Sequence, residues 1–421
     1  MSSIPTEIML GGCGHDAAAM SVDEARARID AVLRPPTLVQ RVPLRDALDR
    51  VLAEPILSPL DVPAHDNSAM DGYAVRAADL EQVPEAPFKV VGEAFAGHPF
   101  AGTLQAGEAV RIMTGGVIPA GADTVVMQER ARREGDRVWL DVAARRGEHV
   151  RRRGEDLAAG DAVLDAGRRI TPADLGLLAS LGLAELPVYR RLRVAFFSTG
   201  DELRSVGEPL AEGEIYDSNR YTLYGMLRHR DVDLLDMGVV RDEREALAQA
   251  LDVAAANADV VITSGGVSVG EADFITELLR ERGRIGFWTV NIKPGRPLAF
   301  GHLGKAVFFG LPGNPVSVMV TFYQLVLPAL QRLQGSEPQP RLQLRARALS
   351  DIRKKSGRRE FQRGVLTSGI DGVPEVRLTG SQGSGILRSM STANCFVVLP
   401  EESGDVAAGS WVTVEPFAGL F

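Results

Sequence analysis

The sequence predicts an α/β multidomain protein, with a doubly wound α/β domain joined to a β-rich insert and a small C-terminal β-barrel. Three observations lead there. From Leu192 onward, apolar strand runs alternate with amphipathic helical runs, the pattern of a mainly parallel sheet wrapped by helices. Before that, up to roughly residue 160, the chain is rich in Pro, Gly and short β-branched runs, as in a β-rich insert. After the linker Gly335-Ser-Glu-Pro-Gln-Pro340 come only short strands such as LQLRARAL, EFQRGVL, EVRLTG, CFVVLP and SWVTVEPF, the makings of a barrel.

Taken in order, Ser21-Val-Asp-Glu24 is a capping box that opens the helix SVDEARARIDAVL, and Pro35-Pro36 stops it. A second amphipathic stretch, LRDALDRVLAE, starts at Leu44 and predicts another helix. The insert then offers the strands FKVVGEAF, GEAVRIMTG, DTVVMQE and DRVWLDV. Thr171 reads as an N-cap with Pro172 in the first turn, returning the chain to helix. The α/β domain follows as RVAFFSTGDE (strand and loop), SNRYTLYGMLRHR (helix), DLLDMGVV (strand) and REALAQALDVAAA (helix).

Two segments of that domain carry the functional signal. VVITSGGVSVGEADF, Val260–Phe274, is a buried strand entering a glycine-rich loop that ends on Glu271 and Asp273; AVFFGLPGNPVSVMVTF, Ala306–Phe322, is a strand, a Gly/Pro/Asn turn and an apolar helical run. Loops of this kind expose N–H groups to an anion, while neighbouring carboxylates can hold a cation. A Gly-Gly turn alone means only that a strand bends sharply. Two such glycine-bearing loops together, with Ser264, Ser268 and Ser317 as hydroxyl donors and Asp273 at the mouth, predict a site for a phosphate-bearing ligand at the carboxyl ends of the strands. The chain has no G-x-x-x-x-G-K-[ST], no G-x-G-x-x-G and no H-E-x-x-H, which argues against a P-loop, dinucleotide or zincin enzyme.

Charge and cysteine usage narrow the class. The 421 residues, 45% hydrophobic, are enough for about three domains of roughly 150 residues. A formal net charge of −8 argues against a nucleic-acid binder. Cys13 and Cys395 have no disulfide or zinc spacing and read as reduced thiols. With no charged leader before a long apolar stretch, and no uncharged apolar run of membrane-spanning length, the sequence predicts a cytoplasmic protein.

Outside the α/β domain the densest polar cluster is DVPAHDNSAMDGYAVR, Asp61–Arg76. Turn chemistry explains Asp66 and Asn67, leaving Asp71 as a candidate. Acidic residues recur at strand ends as Asp201, Glu202, Asp217, Asp242 and Asp273. Helix capping covers Asp201 and Asp217. Mg²⁺ takes one or two carboxylates plus substrate phosphates, so Asp242 and Asp273 would suffice. Lys293 and Arg296, in NIKPGRP, place cations at a turn suited to phosphate. The runs Arg151-Arg-Arg153 with Gly154-Glu155-Asp156, and Lys354–Arg359 with Arg363, are either solvated faces or parts of a basic groove.

Together these pieces resemble the molybdopterin molybdenumtransferase family, MoeA in bacteria and the E domain of gephyrin in animals. DNSAMDGYAVR, RIMTG, RRRGED, FSTGDE, YDSNR, SGGVSVGEAD, IKPGRP, FGLPGNPVS and FQRG occur in one order across nearly the whole chain. The resemblance implies a split helical domain (20–59 and 161–190), a β-rich insert (60–160), a MogA-like α/β molybdopterin-binding domain (191–335) and the C-terminal β-barrel (336–421). It implies a homodimer in which the insert of one copy faces the α/β domain of the other, bringing Asp71 and Thr114 to the loop carrying Asp273. The implied reaction inserts molybdate into adenylylated molybdopterin with Mg²⁺-dependent release of AMP. By matching motif, Asp242 and Asp273 would hold the metal, and Glu202 and Asp71 would position reacting groups. Thr114, Lys293, Arg363 and Ser384 would contact substrate or molybdate, with Arg151 and Asp156 contributing from RRRGED. Ser264, Gly265, Gly266, Ser268, Pro312, Gly313, Asn314, Pro315 and Ser317 would cradle the pterin phosphate and nucleotide. The implied partners are small-molecule substrates, a second copy, the molybdopterin adenylyltransferase and chaperones of downstream molybdoenzymes, with no nucleic acid and no membrane. One departure is Thr289, where the family often carries a lysine after the Phe-Trp pair. Two other readings stay open: a carrier or scaffold that has lost the chemistry, and a Mg²⁺-dependent hydrolase of nucleotide pyrophosphates.

Overall fold

The computed structural model describes residues 19–82, 86–140, 144–266 and 274–417. They form two compact units. The first takes the described residues through Val42, Asp46–Ala53 and the chain from Pro187; the second takes Pro43–Arg45 and Glu54–Leu186. Helix α1, Val22–Val32, belongs to the first, and its Ser21 hydroxyl accepts from Glu24 N at 3.1 Å. Only half of the predicted capping box forms, because the Glu24 carboxylate pairs with Arg28 one turn on, at 2.7 Å. The helix expected from Leu44 is reduced to a single 3-10 turn, Leu44–Ala47. Asp49, at φ +62, takes the left-handed conformation that ends it.

The second unit is built on a six-stranded sheet. Its strands are β1 (Gly72–Val75), β2 (Phe88–Ala94), β3 (Glu108–Ile112), β4 (Thr124–Met127), β5 (Ala131–Glu134) and β6 (Arg137–Leu140), in the order β4-β1-β3-β2-β6-β5. Period-two alternation sends Tyr73 and Val75 into one core and Ala74 into the other. Two helices belong here, α2 (Ala77–Gln82) and α3 (Pro172–Ser180). The latter has the predicted Thr171 cap, completed reciprocally by the Asp174 carboxylate, and Pro172 in its first turn.

In the first unit the α/β strands are β7 (Leu192–Thr199), β8 (Val232–Val240), β9 (Val260–Ser264), β10 (Gly283–Thr289), β11 (Pro297–Leu303) and β12 (Ala306–Leu311), in the order β8-β7-β9-β12-β11-β10. The first four in that order are parallel, and β11 and β10 follow antiparallel. Helices α4 (Ser218–Arg228) and α7 (Pro315–Leu333) cover one face together with α1, while α5 (Arg244–Asn257) and α6 (Phe274–Arg282) cover the other. Val194 and Phe196 therefore serve one core and Ala195 and Phe197 the other, which is why β7 is apolar at almost every position.

Helix α7 is long and apolar enough to cross a membrane by length and composition, yet most of it is buried inside this core. Its course is interrupted by a π turn at Phe322–Val326 just before Pro328. Proline offers no N–H to the carbonyl of Gln324, and Arg26 Nε supplies the missing donor at 2.9 Å.

Five strands after the linker, β13 (Leu344–Ala348), β14 (Arg359–Ser368), β15 (Pro374–Leu378), β16 (Cys395–Leu399) and β17 (Trp411–Pro416), close in the order β14-β15-β13-β17-β16 and back to β14. That is the predicted barrel, filled by Ala346, Val376, Val397 and Val414. Ile292–Lys293 pairs with its β14 edge, so the turn carrying Lys293 is held between the α/β domain and the barrel. Phe361, Phe396 and Phe417 of the barrel share a core with α7.

Candidate active site

A cleft of about 1080 Å³ opens at the carboxyl ends of the parallel strands, a volume that accommodates a nucleotide-sized ligand. Glu202 follows β7, Asp242 follows β8, Gly265 and Gly266 follow β9, and Pro312, Gly313, Asn314, Pro315 and Ser317 follow β12. The turn Lys293–Pro297 and the barrel residues Arg358 and Gln382–Gly385 complete the wall. Sequence segments almost 190 residues apart are thus gathered by strand order, including Glu202, Asp242, Lys293 and Ser384.

The glycines are required by geometry. Gly265 has φ +89, and a Cβ there would stand 2.4 Å from the Thr199 carbonyl oxygen; Gly266 has φ +65 and would meet Ile275 at the same distance. The Gly265 N–H donates to Leu311 O at 3.1 Å, so this donor is occupied in joining the two loops. Val316 N donates to Ser384 O at 3.0 Å, and Asn219 Nδ2 to Gly313 O at 2.7 Å, fixing the turn at the start of α7. Asn314 makes no capping bond with its side chain.

Ser264 is buried behind the wall. Its hydroxyl lies 2.9 Å from that of Ser198, which donates to the Asp217 carboxylate at 3.0 Å. Asp217 in turn caps α4. Arg363 is also buried; its guanidinium donates to Ser389 Oγ and Gly383 O, both at 3.0 Å, and burial pushes its pKa down to about 10. In this structure it shapes the Gln382–Gly385 segment from beneath. Lys293 Nζ donates to the buried Glu360 carboxylate at 3.0 Å.

Carboxylates collect at one part of the cleft. Asp242 N donates to Asp201 Oδ1 at 3.3 Å, and partial burial, with the charges of Asp201 and Glu202, raises the Asp242 carboxyl above the ordinary carboxylate range. Carboxylates are the kind of oxygen donor Mg²⁺ takes, but these would need substrate oxygens to complete a shell. Among the described residues no three such side chains converge to hold an ion unaided. Ser268, Glu271 and Asp273 lie outside the described residues, as does Cys13.

Asp71, Thr114, Arg151 and Asp156 belong to the second unit. Thr114 N and Oγ1 both donate to Asp71 Oδ1, at 2.7 and 2.8 Å, and these bonds hold its carboxyl below the ordinary range. Arg151 and Asp156 are exposed, whereas Arg152 and Arg153 pair with Asp66 and Asp61. Arg358 and Asn219 lie in segments that the sequence singles out, the run Lys354–Arg359 and YDSNR, without a role of their own; Gln382 and Gly295 are given none. The Pro-Gly pair did signal Gly295, whose φ of +106 and approach to Thr321 Oγ1 admit no side chain. Gln382 became visible only through its bonds to both backbone groups of Arg363.

Residues 20–182 match the model of the "MoeA N-terminal region (domain I and II)", residues 195–332 that of a "probable molybdopterin binding domain", and residues 345–417 that of the "MoeA C-terminal region (domain IV)". The chain is 46% identical over 403 residues to the molybdopterin molybdenumtransferase of Haemophilus influenzae, covering 95% of this chain and 99% of that one. It is 39% identical to the molybdopterin molybdenumtransferase of a Nostoc species, covering 89% and 87%. A crystal structure of the molybdopterin biosynthesis MoeA protein of Pyrococcus horikoshii superposes with a TM-score of 0.82 at 30% identity, over 95% of this chain and all of that one.

Proposed function

Because this chain belongs to the MoeA family of molybdopterin molybdenumtransferases, we propose that its α/β cleft inserts molybdate into adenylylated molybdopterin and releases AMP, yielding molybdenum cofactor. The observation that carries this reading is one cleft lined both by carboxylates, Glu202 and Asp242, and by cations, Lys293, Arg296 and Arg358. A phosphoanhydride and a tetrahedral dianion call for both signs: cations to bind the oxyanions and carboxylates to hold a metal ion. Asp242 with Asp273 would hold Mg²⁺, which would offset negative charge as AMP leaves. Glu202 orients the reacting group, Lys293 and Ser384 contact oxyanion, and the Gly265–Gly266 and Pro312–Ser317 turns seat the phosphate and nucleotide. In this reading Arg363 contributes through the Gln382–Gly385 segment, and a second copy of the chain brings Asp71, Thr114, Arg151 and Asp156. The reaction belongs in the cytoplasm, where Cys395 would stay a free thiol.

The test is AMP release from adenylylated molybdopterin by purified protein with Mg²⁺, with and without molybdate, alongside formation of active cofactor. Molybdate-stimulated release with active cofactor is expected; release indifferent to molybdate would instead make the protein a pyrophosphate hydrolase. Mixing Asp71→Asn and Asp242→Asn proteins should restore activity that neither has alone, and no recovery would remove the second copy from the reading. Thr289 counts for a second reading, a carrier that binds without turnover, while the retained Asp71, Glu202, Asp242 and Asp273 count against it. Tight binding with no AMP release, corrected by Thr289→Lys, would establish it.

A further inference from the structure

The basic run Lys354–Arg359 crosses from the barrel to the cleft, and the structure separates its charges one by one. Lys354 is 5% exposed, and its ammonium donates to the carbonyls of Lys355, Glu401 and Ser403 at 3.3, 3.2 and 2.8 Å. Its backbone N donates to Asp405 Oδ1 at 2.7 Å, and Gly357 N to Glu401 O at 2.7 Å, so the loop is fastened to residues 401–405 at both ends. Arg359 forms a two-bond pair with Asp23, at 2.9 and 2.7 Å. Lys293 across the same β14 edge is matched by Glu360. Arg358 sits between these anchors, lines the cleft, and makes no ion pair among the described residues.

A guanidinium exposed on a fastened loop, with no carboxylate paired to it among the described residues, is suited to bidentate capture of a tetrahedral oxyanion. We propose that Arg358 is a further substrate-binding residue of the cleft, contacting a tetrahedral oxyanion that is either molybdate or the nucleotide phosphate. The proposal rests on the transferase reading. It differs from a general basic field because Lys355, next on the loop and exposed, does not line the cleft.

The unmodified protein, Arg358→Ala, Arg358→Lys and Lys355→Ala are titrated calorimetrically with molybdate and, separately, with AMP. Arg358→Ala is expected to weaken one or both ligands by about ten- to a hundredfold, the effect of losing a charge-assisted bidentate contact. Arg358→Lys should fall between, Lys355→Ala should match the unmodified protein, and all four should unfold at the same temperature. Loss confined to molybdate makes the oxyanion the metal substrate, and loss confined to AMP makes it the nucleotide phosphate. Unchanged affinity in Arg358→Ala, or an equal loss in Lys355→Ala, overturns the assignment while leaving the transferase reading standing. Failure of the unmodified protein to bind either ligand removes both.

Discussion

At the scale of single residues, sequence identifies charge and structure decides its use. In Arg151-Arg-Arg153 the second and third side chains are matched by Asp66 and Asp61, and in Lys354–Arg359 the first and last are held by carbonyls and by Asp23. The partners lie as far as 336 positions away, so no local pattern could separate the paired cations from Arg151 and Arg358, for which no ion pair forms among the described residues. The same holds for Asp242, whose raised pKa comes from burial and from Asp201 and Glu202. Because the folded state binds that proton more tightly than the unfolded chain, the associated stability is present below the unfolded value of about 3.9 and is lost as pH rises through the folded pKa. At neutral pH the ionised side chain is therefore destabilising. Asp242→Asn should raise the thermal midpoint at pH 7, with the gain vanishing towards pH 3, while cofactor formation falls by roughly ten- to a hundredfold. A variant that is less stable at pH 7, or whose gain is independent of pH, would contradict the carboxylate cluster.

At the scale of elements, the loop after β9 was legible because two local signals agreed, a short β-branched run and a Gly-Gly pair with no room for side chains. Gly265→Ala makes the point quantitative: left-handed backbone and a Cβ 2.4 Å from Thr199 O should together cost about 2 kcal/mol or more in denaturant unfolding. AMP and molybdate binding should weaken as well, since the same glycine joins the loops after β9 and β12 through Leu311 O. An alanine variant with unchanged stability and affinity would show that the loop relaxes freely. Elements that depend on distant partners were not legible. LRDALDRVLAE has helical periodicity, yet Leu44 N bonds Ala184 O and Asp49 turns left-handed, leaving one 3-10 turn. The π turn of α7 likewise reflects Pro328 together with Arg26, about 300 residues earlier.

At the scale of the molecule, the alternation of strands and helices announced the α/β domain and the short strands after Pro340 announced the barrel, but which cores are shared was set by long-range packing. The segments grouped by resemblance as one split helical domain contribute α1 to the core of the first unit and α3 to the second unit. The barrel and the α/β domain share Phe361, Phe396, Phe417 and α7 in one core, and a buried polar chain adds to it, with Gln324 donating to Glu415 at 3.2 Å and Arg341 pairing with Glu415 at 3.3 Å. The sheet of the second unit has cores of its own, around Val126 and around Ile112. Calorimetry should accordingly resolve two transitions rather than one per sequence domain. Leu251→Ala, in the α/β core, and Phe396→Ala, in the shared core, should both lower the same transition, by roughly 2–5 kcal/mol. Ile112→Ala should lower the other by a similar amount. A single transition moved by all three substitutions would mean that the two units unfold as one, and a separate barrel transition would mean that the shared aromatic core and the Glu415 contacts are too weak to couple barrel and α/β domain.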